Sequence, residues 1–286
     1  MPSSPLGMTA ARLGIVAGAG DLPRAIVRAC QRSGRPFFLV ALDGFAEPAL
    51  TEGVAHAWYR LGKAGAIVDR LHAEGVRELV FVGAVTRPRL AQWMPDARTL
   101  RFLVTRRAWR LGDGGLLNAM IATLENDGFR VVGPETIDPE LLARLGPVGR
   151  LRPEADDERA IAFGLREALI LGAADRGQGV VVQDGKVLDR EDRAGTDALL
   201  ARCRTRGGRR GDRPGGVLVK VTKPMQDRRV DLPAIGLRTV AGAQAAGLAG
   251  IAVEAAGALV VDRAAVAEAA DRAGLFVAGV PREAEP

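Results

Sequence analysis

The sequence predicts an α/β protein with an N-terminal Rossmann-like parallel sheet domain and a C-terminal mixed α/β domain. Three observations predict it. In the first half, short apolar runs alternate with segments of helical spacing, the pattern of a parallel sheet covered by helices. The first of these runs ends in Gly18-Ala19-Gly20-Asp21 and opens into a helix, glycines standing where the backbone turns tightly. In the second half, Asp184-Gly185 separates two apolar runs, a two-residue hairpin signal that implies antiparallel pairing.

Taken in order, Leu13–Ala17 reads as a buried strand. Leu22–Arg32 reads as a helix, with Pro23 in its first turn and Gly34 just past its end. Phe37–Leu42 is the next strand, Ala64–Glu74 a helix stopped near Gly75, and Glu78–Val85 a strongly apolar strand. Arg98–Arg110 and Leu116–Asn126 are helical around Gly112–Gly115, and Phe129–Val132 is a further strand. Leu145–Pro153, with Gly146, Pro147, Gly149 and Pro153, reads as a linker. That places the domains at 10–146 and 154–281, within the usual domain size.

In the second domain, Glu158–Leu171 is a helix and Val180–Gln183 pairs with Lys186–Leu188 as a hairpin. Thr196 caps a helix running to about Arg204. Gly207–Gly216 is an Arg/Gly-rich loop, Val217–Val221 a strand, and Ala234–Arg238 another. Thr239 caps a helix to Ala246. Ile251–Glu254 and Ala258–Val261 read as a second hairpin, followed by helix Arg263–Ala273 and strand Leu275–Val280.

The chain has two cysteines, Cys30 and Cys203, and two histidines, His56 and His72. That inventory excludes a disulfide framework and leaves too few soft ligands for a zinc centre. Both histidines are isolated and read as structural or solvated. With 34 Asp and Glu, a hard cation held by oxygen stays open. The net charge is +6, and the only lysines are Lys63, Lys186, Lys220 and Lys223. Genomic codon bias explains most of the arginines, and an acidic partner is the alternative. Aromatics are 4% of residues, which argues against nucleic acid stacked on aromatic rings. No apolar run reaches a membrane span, and the N-terminus lacks a secretory h-region. A cytoplasmic protein is expected.

Six motifs have two readings each. Gly18 and Gly20 either cradle a phosphate at a helix N-terminus, with Asp43 as a ribose-binding acid, or make a plain turn with Asp21 as cap. Arg87, in Gly83–Pro88, either grips a phosphate at a strand's carboxyl end or lies solvated. Gly112-Asp113-Gly114-Gly115 is an anion nest or a capped turn. Gly195-Thr196-Asp197 is a cap or a phosphate contact. The arginines at 98, 101, 106, 107 and 110 make a solvated face or a helix lying on anionic lipid, and Arg202–Arg213 makes a basic loop or a phosphate-attracting one. The stretch Lys223-Pro224-Met225-Gln226-Asp227-Arg228-Arg229-Val230-Asp231-Leu232-Pro233 is different. It is too charged for a core, and two prolines stiffen it, as a phosphate or metal site requires.

Gly14–Pro23, Gly83–Pro88, Gly177–Val181, Gly195–Leu199 and Lys223–Gly236 together, in order and spacing, resemble the LpxI-type UDP-2,3-diacylglucosamine diphosphatases of Gram-negative lipid A biosynthesis. The resemblance implies an active site between two domains. It implies Mg²⁺-dependent hydrolysis of UDP-2,3-diacylglucosamine to UMP and 2,3-diacylglucosamine 1-phosphate. It places the central acid at Asp231 and a Gln-acid pair at Gln226 and Asp227, and brings Gln178, Thr196 and Asp197 into the substrate site. This chain departs from it at Ala194 and Gly114, where relatives often carry acids.

We therefore expect Asp231 to ligate Mg²⁺ or orient its water, with Asp227 or Asp197 as second acid. Lys223 and Arg229 are expected on phosphoryl oxygens, with Gly18, Gly20, Asp21 and Arg87 on the nucleotide or diphosphate. The partner is a lipid-linked nucleotide-sugar, with peripheral contact at the inner membrane and a homodimer left open. The rival readings are an NAD(P)-dependent oxidoreductase resting on Gly18, Gly20 and Asp43, and a non-catalytic nucleotide-sugar or anionic-lipid binding protein.

Overall fold

The computed structural model describes residues 11–85, 95–105, 112–206, 209–210, 213–224 and 227–282. Arg87, Gln226 and Arg106–Arg110 of the expectations above lie outside them. The chain divides into two compact units, Met1–Leu111 with Gly115–Ile137, and Asp138–Pro286 with Gly112–Gly114.

The first unit is built on β1 (Arg12–Ala17), α1 (Leu22–Ser33), β2 (Phe37–Leu42), β3 (His56–Tyr59), α2 (Ala64–Ala73), β4 (Val76–Val82), α3 (Ala97–Thr105), α4 (Asp113–Asn126) and β5 (Arg130–Val131). All five strands run parallel in the order β3-β2-β1-β4-β5. The three inner strands are apolar because both their faces are covered, and Leu13, Ile15, Leu39, Val40 and Val80 are wholly buried. Helix α1 stops where expected: Gly34 is left-handed at φ 67°, and the following Arg35 N–H bonds back to Cys30 O at 3.0 Å, a glycine C-cap. Strand β3 escapes the sequence reading. It is an edge strand that alternates exposed and half-buried residues, so His56-Ala57-Trp58-Tyr59 shows no apolar run.

Asp96 caps two helices at once. Its Oδ1 accepts the Thr99 N–H of α3 at 2.8 Å, and its Oδ2 accepts the Gly65 N–H of α2 at 2.8 Å. A Cβ on Gly65 would stand 2.9 Å from that oxygen, so glycine leaves the room. Desolvation pushes the Asp96 carboxyl up, but the N–H groups of Thr99, Gly65 and Ala66 and the Thr99 hydroxyl outweigh it and hold it below its ordinary value. Such a group stabilises the fold above its unfolded pKa and loses that contribution as pH falls through the folded one. Asp96→Ala is expected to cost roughly 2 kcal/mol near neutral pH, at the upper end for a cap because two helices lose a partner. Urea denaturation at pH 7 and pH 3 checks it, the difference shrinking at the lower pH.

The second unit comprises β6 (Gly146–Pro147), α5 (Ala155–Ala173), β7 (Gly179–Gln183), β8 (Lys186–Arg190), α6 (Gly195–Arg206), β9 (Arg209–Arg210), β10 (Arg213–Pro214), β11 (Val217–Lys220), β12 (Ala234–Ile235), α7 (Leu237–Ala245), β13 (Gly250–Glu254), β14 (Leu259–Val260), α8 (Arg263–Ala273) and β15 (Phe276–Val280). Six strands form one mixed sheet, β6-β15-β13-β11-β7-β8. Strands β11, β13 and β15 are parallel, while β6, β7 and β8 pair antiparallel. Alternation sorts the side chains. Val180, Val182, Val217 and Val219 pack with α5; Val181, Leu218, Ile251 and Val277 pack with α6, α7 and α8.

The β7–β8 hairpin forms as expected, with Asp184 at φ 49° and Gly185 at φ 71°. The second expected hairpin does not. β13 lies inside the six-stranded sheet, and β14 leaves it to pair in parallel with β12. The cause is the turn after β13. Glu254 is buried and its Oε2 accepts the Thr222 N–H at 2.8 Å, while Ala256 is left-handed at φ 54°, so the chain exits instead of folding back. The expected linker is also corrected: Gly146–Pro147 is an edge strand on β15, and 138–145 already belongs to the second unit. Strand β12 ends at Ile235 because Gly236 caps α7, with its N–H donated to Thr239 Oγ1 at 3.3 Å. Thr239 therefore lies in the helix rather than before it.

Candidate functional site

In the first unit the strand order reverses at β1 and β4, and in such sheets ligands bind beyond the carboxyl ends at that point. Both loops that leave there are sewn together. Gly18 N–H bonds to Val82 O at 2.8 Å, and Ala19 and Ala84 exchange N–H···O bonds at 2.9 Å each. The Gly18 amide is thus already used, and its glycine is required for another reason: a Cβ there would stand 2.5 Å from Ala84 O. Gly20 is left-handed at φ 98°. Asp21 holds the N-cap position of α1 without a side-chain cap bond, so its exposed carboxylate faces solvent. Gly18→Ala is expected to break the stitch and destabilise this loop pair. An amide-exchange experiment should show faster exchange at Ala19 and Ala84 in the variant. Asp43, the candidate ribose acid, is instead 3.6 Å from Arg60 in an exposed pair.

In the second unit a cluster of charge forms past the carboxyl end of β11. Three expected residues belong to it, Asp231, Lys223 and Thr196. Asp231 is half-buried. Desolvation pushes its carboxyl above the ordinary range, the ammoniums of Lys223 and Lys220 pull it back, and the carboxylates of Glu191 and Asp175 push it further up. Lys223 Nζ lies 3.0 Å from Asp175 Oδ1, and Asp175 is held left-handed at φ 50° where α5 ends.

Two further members, Lys220 and Glu191, were missed. Lys220 is 3% exposed and Glu191 8%. Thr196 joins them: its Oγ1 accepts from Lys220 Nζ at 2.6 Å and donates to Glu191 Oε1 at 2.9 Å. Thr196 is therefore a bridge rather than a helix cap. The loop before α6 is closed by Asp192, whose Oδ1 accepts the Ala194 N–H at 2.8 Å. The motif Gly177-Gln178-Gly179 now has a physical reason. A Cβ on Gly177 would stand 2.5 Å from Glu191 O, and one on Gly179 2.7 Å from Glu191 Oε2; only glycines let Glu191 lie across this strand. Gln178 lends its carbonyl to Val221 N–H at 3.0 Å. Its buried Oε1 has no hydrogen-bond partner among the described residues. Two signals in the sequence pointed here: a lysine inside the apolar strand Val217–Val221 of a lysine-poor chain, and the paired glycines at 177 and 179.

Other expected residues are engaged elsewhere. Asp227 accepts from Arg229 through both oxygens, Nη2 to Oδ2 at 2.7 Å and Nε to Oδ1 at 3.0 Å. Its carboxyl is held low by that side chain first, with the Arg229 N–H adding to it. Arg229 is correspondingly committed to Asp227. Asp197 pairs with Arg238 at the surface.

This arrangement can hold a polyanion against two ammoniums and present one acid of raised proton affinity. Residues 12–141 match the LpxI N-terminal domain and residues 144–278 the LpxI C-terminal domain. A relative from Caulobacter vibrioides, UDP-2,3-diacylglucosamine pyrophosphatase LpxI, is 41% identical over 281 residues, covering 96% of this chain and 99% of its own. On the fold, the motif order and this identity along the whole length, the chain belongs to the LpxI family.

Proposed function

We propose that the chain hydrolyses the diphosphate of UDP-2,3-diacylglucosamine, giving UMP and 2,3-diacylglucosamine 1-phosphate for lipid A synthesis. One observation carries the chemistry: a half-buried carboxyl, Asp231, of raised proton affinity among lysines at the end of β11. An acid of raised pKa is the better proton acceptor for an attacking water. Asp231 takes that proton at a carboxylate oxygen. Lys223 Nζ, shared with Asp175, meets a phosphoryl oxygen and offsets its charge.

The donor set fits Mg²⁺. The charges bearing on Asp231 are two ammoniums and two further carboxylates; with its own, acids exceed bases by one. Among the described residues no group of three or more His, Cys, Asp or Glu is placed to hold a metal by itself. That suits an ion bound by one or two carboxylates and completed by substrate phosphates. Asp175, whose carboxylate bears on Asp231, would hold it, since both Asp227 oxygens face Arg229 and Asp231 serves as the base. Bound there, Mg²⁺ supplies charge neutralisation at the diphosphate.

The proposal includes action from the cytoplasm at the membrane face. No helix among the described residues is long and apolar enough to cross a membrane. Helix α3 instead exposes Leu100 at 53% and Val104 at 56%, one turn apart, beside exposed Arg101, a surface suited to anionic lipid.

The test is incubation with UDP-2,3-diacylglucosamine, with Mg²⁺ and with a chelator, and chromatography of the nucleotide product. UMP formed only with the cation supports the proposal. UDP as product, or no nucleotide release, would overturn it.

A further inference from the structure

We propose that Lys220 is a second phosphoryl-contacting cation of this site, and that Glu191, acting through Thr196, holds its ammonium aimed. The proposal rests on the diphosphatase reading above and deepens it. Lys220 sits at the last position of β11, where alternation turns its side chain toward α6. A cation buried to this degree needs a counter-charge close by. Glu191 Oε1 supplies one at 3.9 Å, too far for a direct hydrogen bond.

Thr196 closes the gap, donating to the carboxylate and accepting from the ammonium. This polarises the hydroxyl toward Lys220 and fixes one of its three N–H directions. No acceptor for the other two is found among the described residues, and Asp231 lies near enough for the two charges to interact. A structural ion pair would bring its two members together directly and satisfy their protons. Here the bridge aligns one proton and leaves two donors for an incoming anion. Thr196 and Glu191 are positioning residues in this account, and Lys220 is the group that touches substrate.

The test uses the full chain with Lys220→Met, Thr196→Val, Thr196→Ser, the Thr196→Val/Lys220→Met double variant, and the charge-balanced Glu191→Gln/Lys220→Met variant for the case where Lys220→Met alone fails to fold. UMP release gives kcat and KM, and calorimetry with inorganic pyrophosphate gives affinity independent of turnover. Loss of Lys220 is expected to lower kcat about 100-fold and to weaken pyrophosphate clearly. Thr196→Val is expected to lower kcat on the order of tenfold, with little further loss when added to Lys220→Met, and Thr196→Ser to restore it. Wild-type kcat and pyrophosphate affinity in folded variants lacking Lys220, or additive losses in the double variant, would overturn the proposal. If the wild-type chain releases no UMP but its pyrophosphate affinity depends on Lys220 and Thr196, the diphosphatase reading fails and this one stands.

Discussion

Lys220→Met is expected to destabilise the protein by about 3–5 kcal/mol, the cost of leaving one member of a buried charge pair without its partner. Glu191 and Lys220 are both nearly excluded from water, and each charge there is tolerable because the other is present. Removing the ammonium strands the carboxylate beside Gly179, where its Oε2 already has no hydrogen-bond partner among the described residues. The neighbouring Val217, Leu218 and Val219 are fully buried, so solvent cannot easily relax the defect. The Glu191→Gln/Lys220→Met variant should recover most of the loss, because Gln still accepts from Thr196 and no net charge remains buried. Urea denaturation of the two single variants and the pair checks this. A loss below about 1 kcal/mol for Lys220→Met, the size of an exposed ion pair, would mean that the pair is solvated.

Asp231→Asn is expected to lower turnover by about 10²–10⁴-fold, the range for loss of a general base, while making the protein more stable near neutral pH. The two effects have one cause. Burial raises the Asp231 pKa in the fold, so ionising it works against folding. For a group shifted upward, the stabilising contribution is full below the unfolded pKa of about 3.9 and is lost as pH rises through the folded value. Asn cannot ionise. The variant's stability advantage should therefore be small near pH 3.5 and grow as pH rises through the folded pKa. Denaturation across that window reads it. A variant less stable than wild type throughout would instead mark Asp231 as a structural ion-pair member.

Much of the fold was legible because strands buried on both faces announce themselves as apolar runs. Leu13–Ala17, Phe37–Leu42 and Val217–Val221 are of that kind, and glycine stops such as Gly34 mark the helix ends. What was missed follows from partial exposure or from distant partners. Strand β3 is a half-solvated edge. Ala258–Val261 sits one short turn after β13 and looks like its hairpin mate, yet buried Glu254 and left-handed Ala256 send it to β12.

The site divides in the same way. Lys223 and Asp231 lie in one charged, proline-stiffened segment that no core could accept. Lys220 and Glu191 lie in two segments whose meeting depends on the β7–β11 pairing, and neither segment alone discloses a charge pair. Arg229 read as a free cation because its partner, Asp227, two residues away, read as a free acid; the structure shows each occupied by the other.

The measurement that bears most directly on the central claim is UMP release from UDP-2,3-diacylglucosamine by wild-type and Asp231→Asn preparations of equal folded fraction, side by side in Mg²⁺. The account predicts rapid UMP formation by the wild type and at least a hundredfold slower release by a variant that is equally or more stable. Equal rates from the two, with both preparations folded, would contradict it.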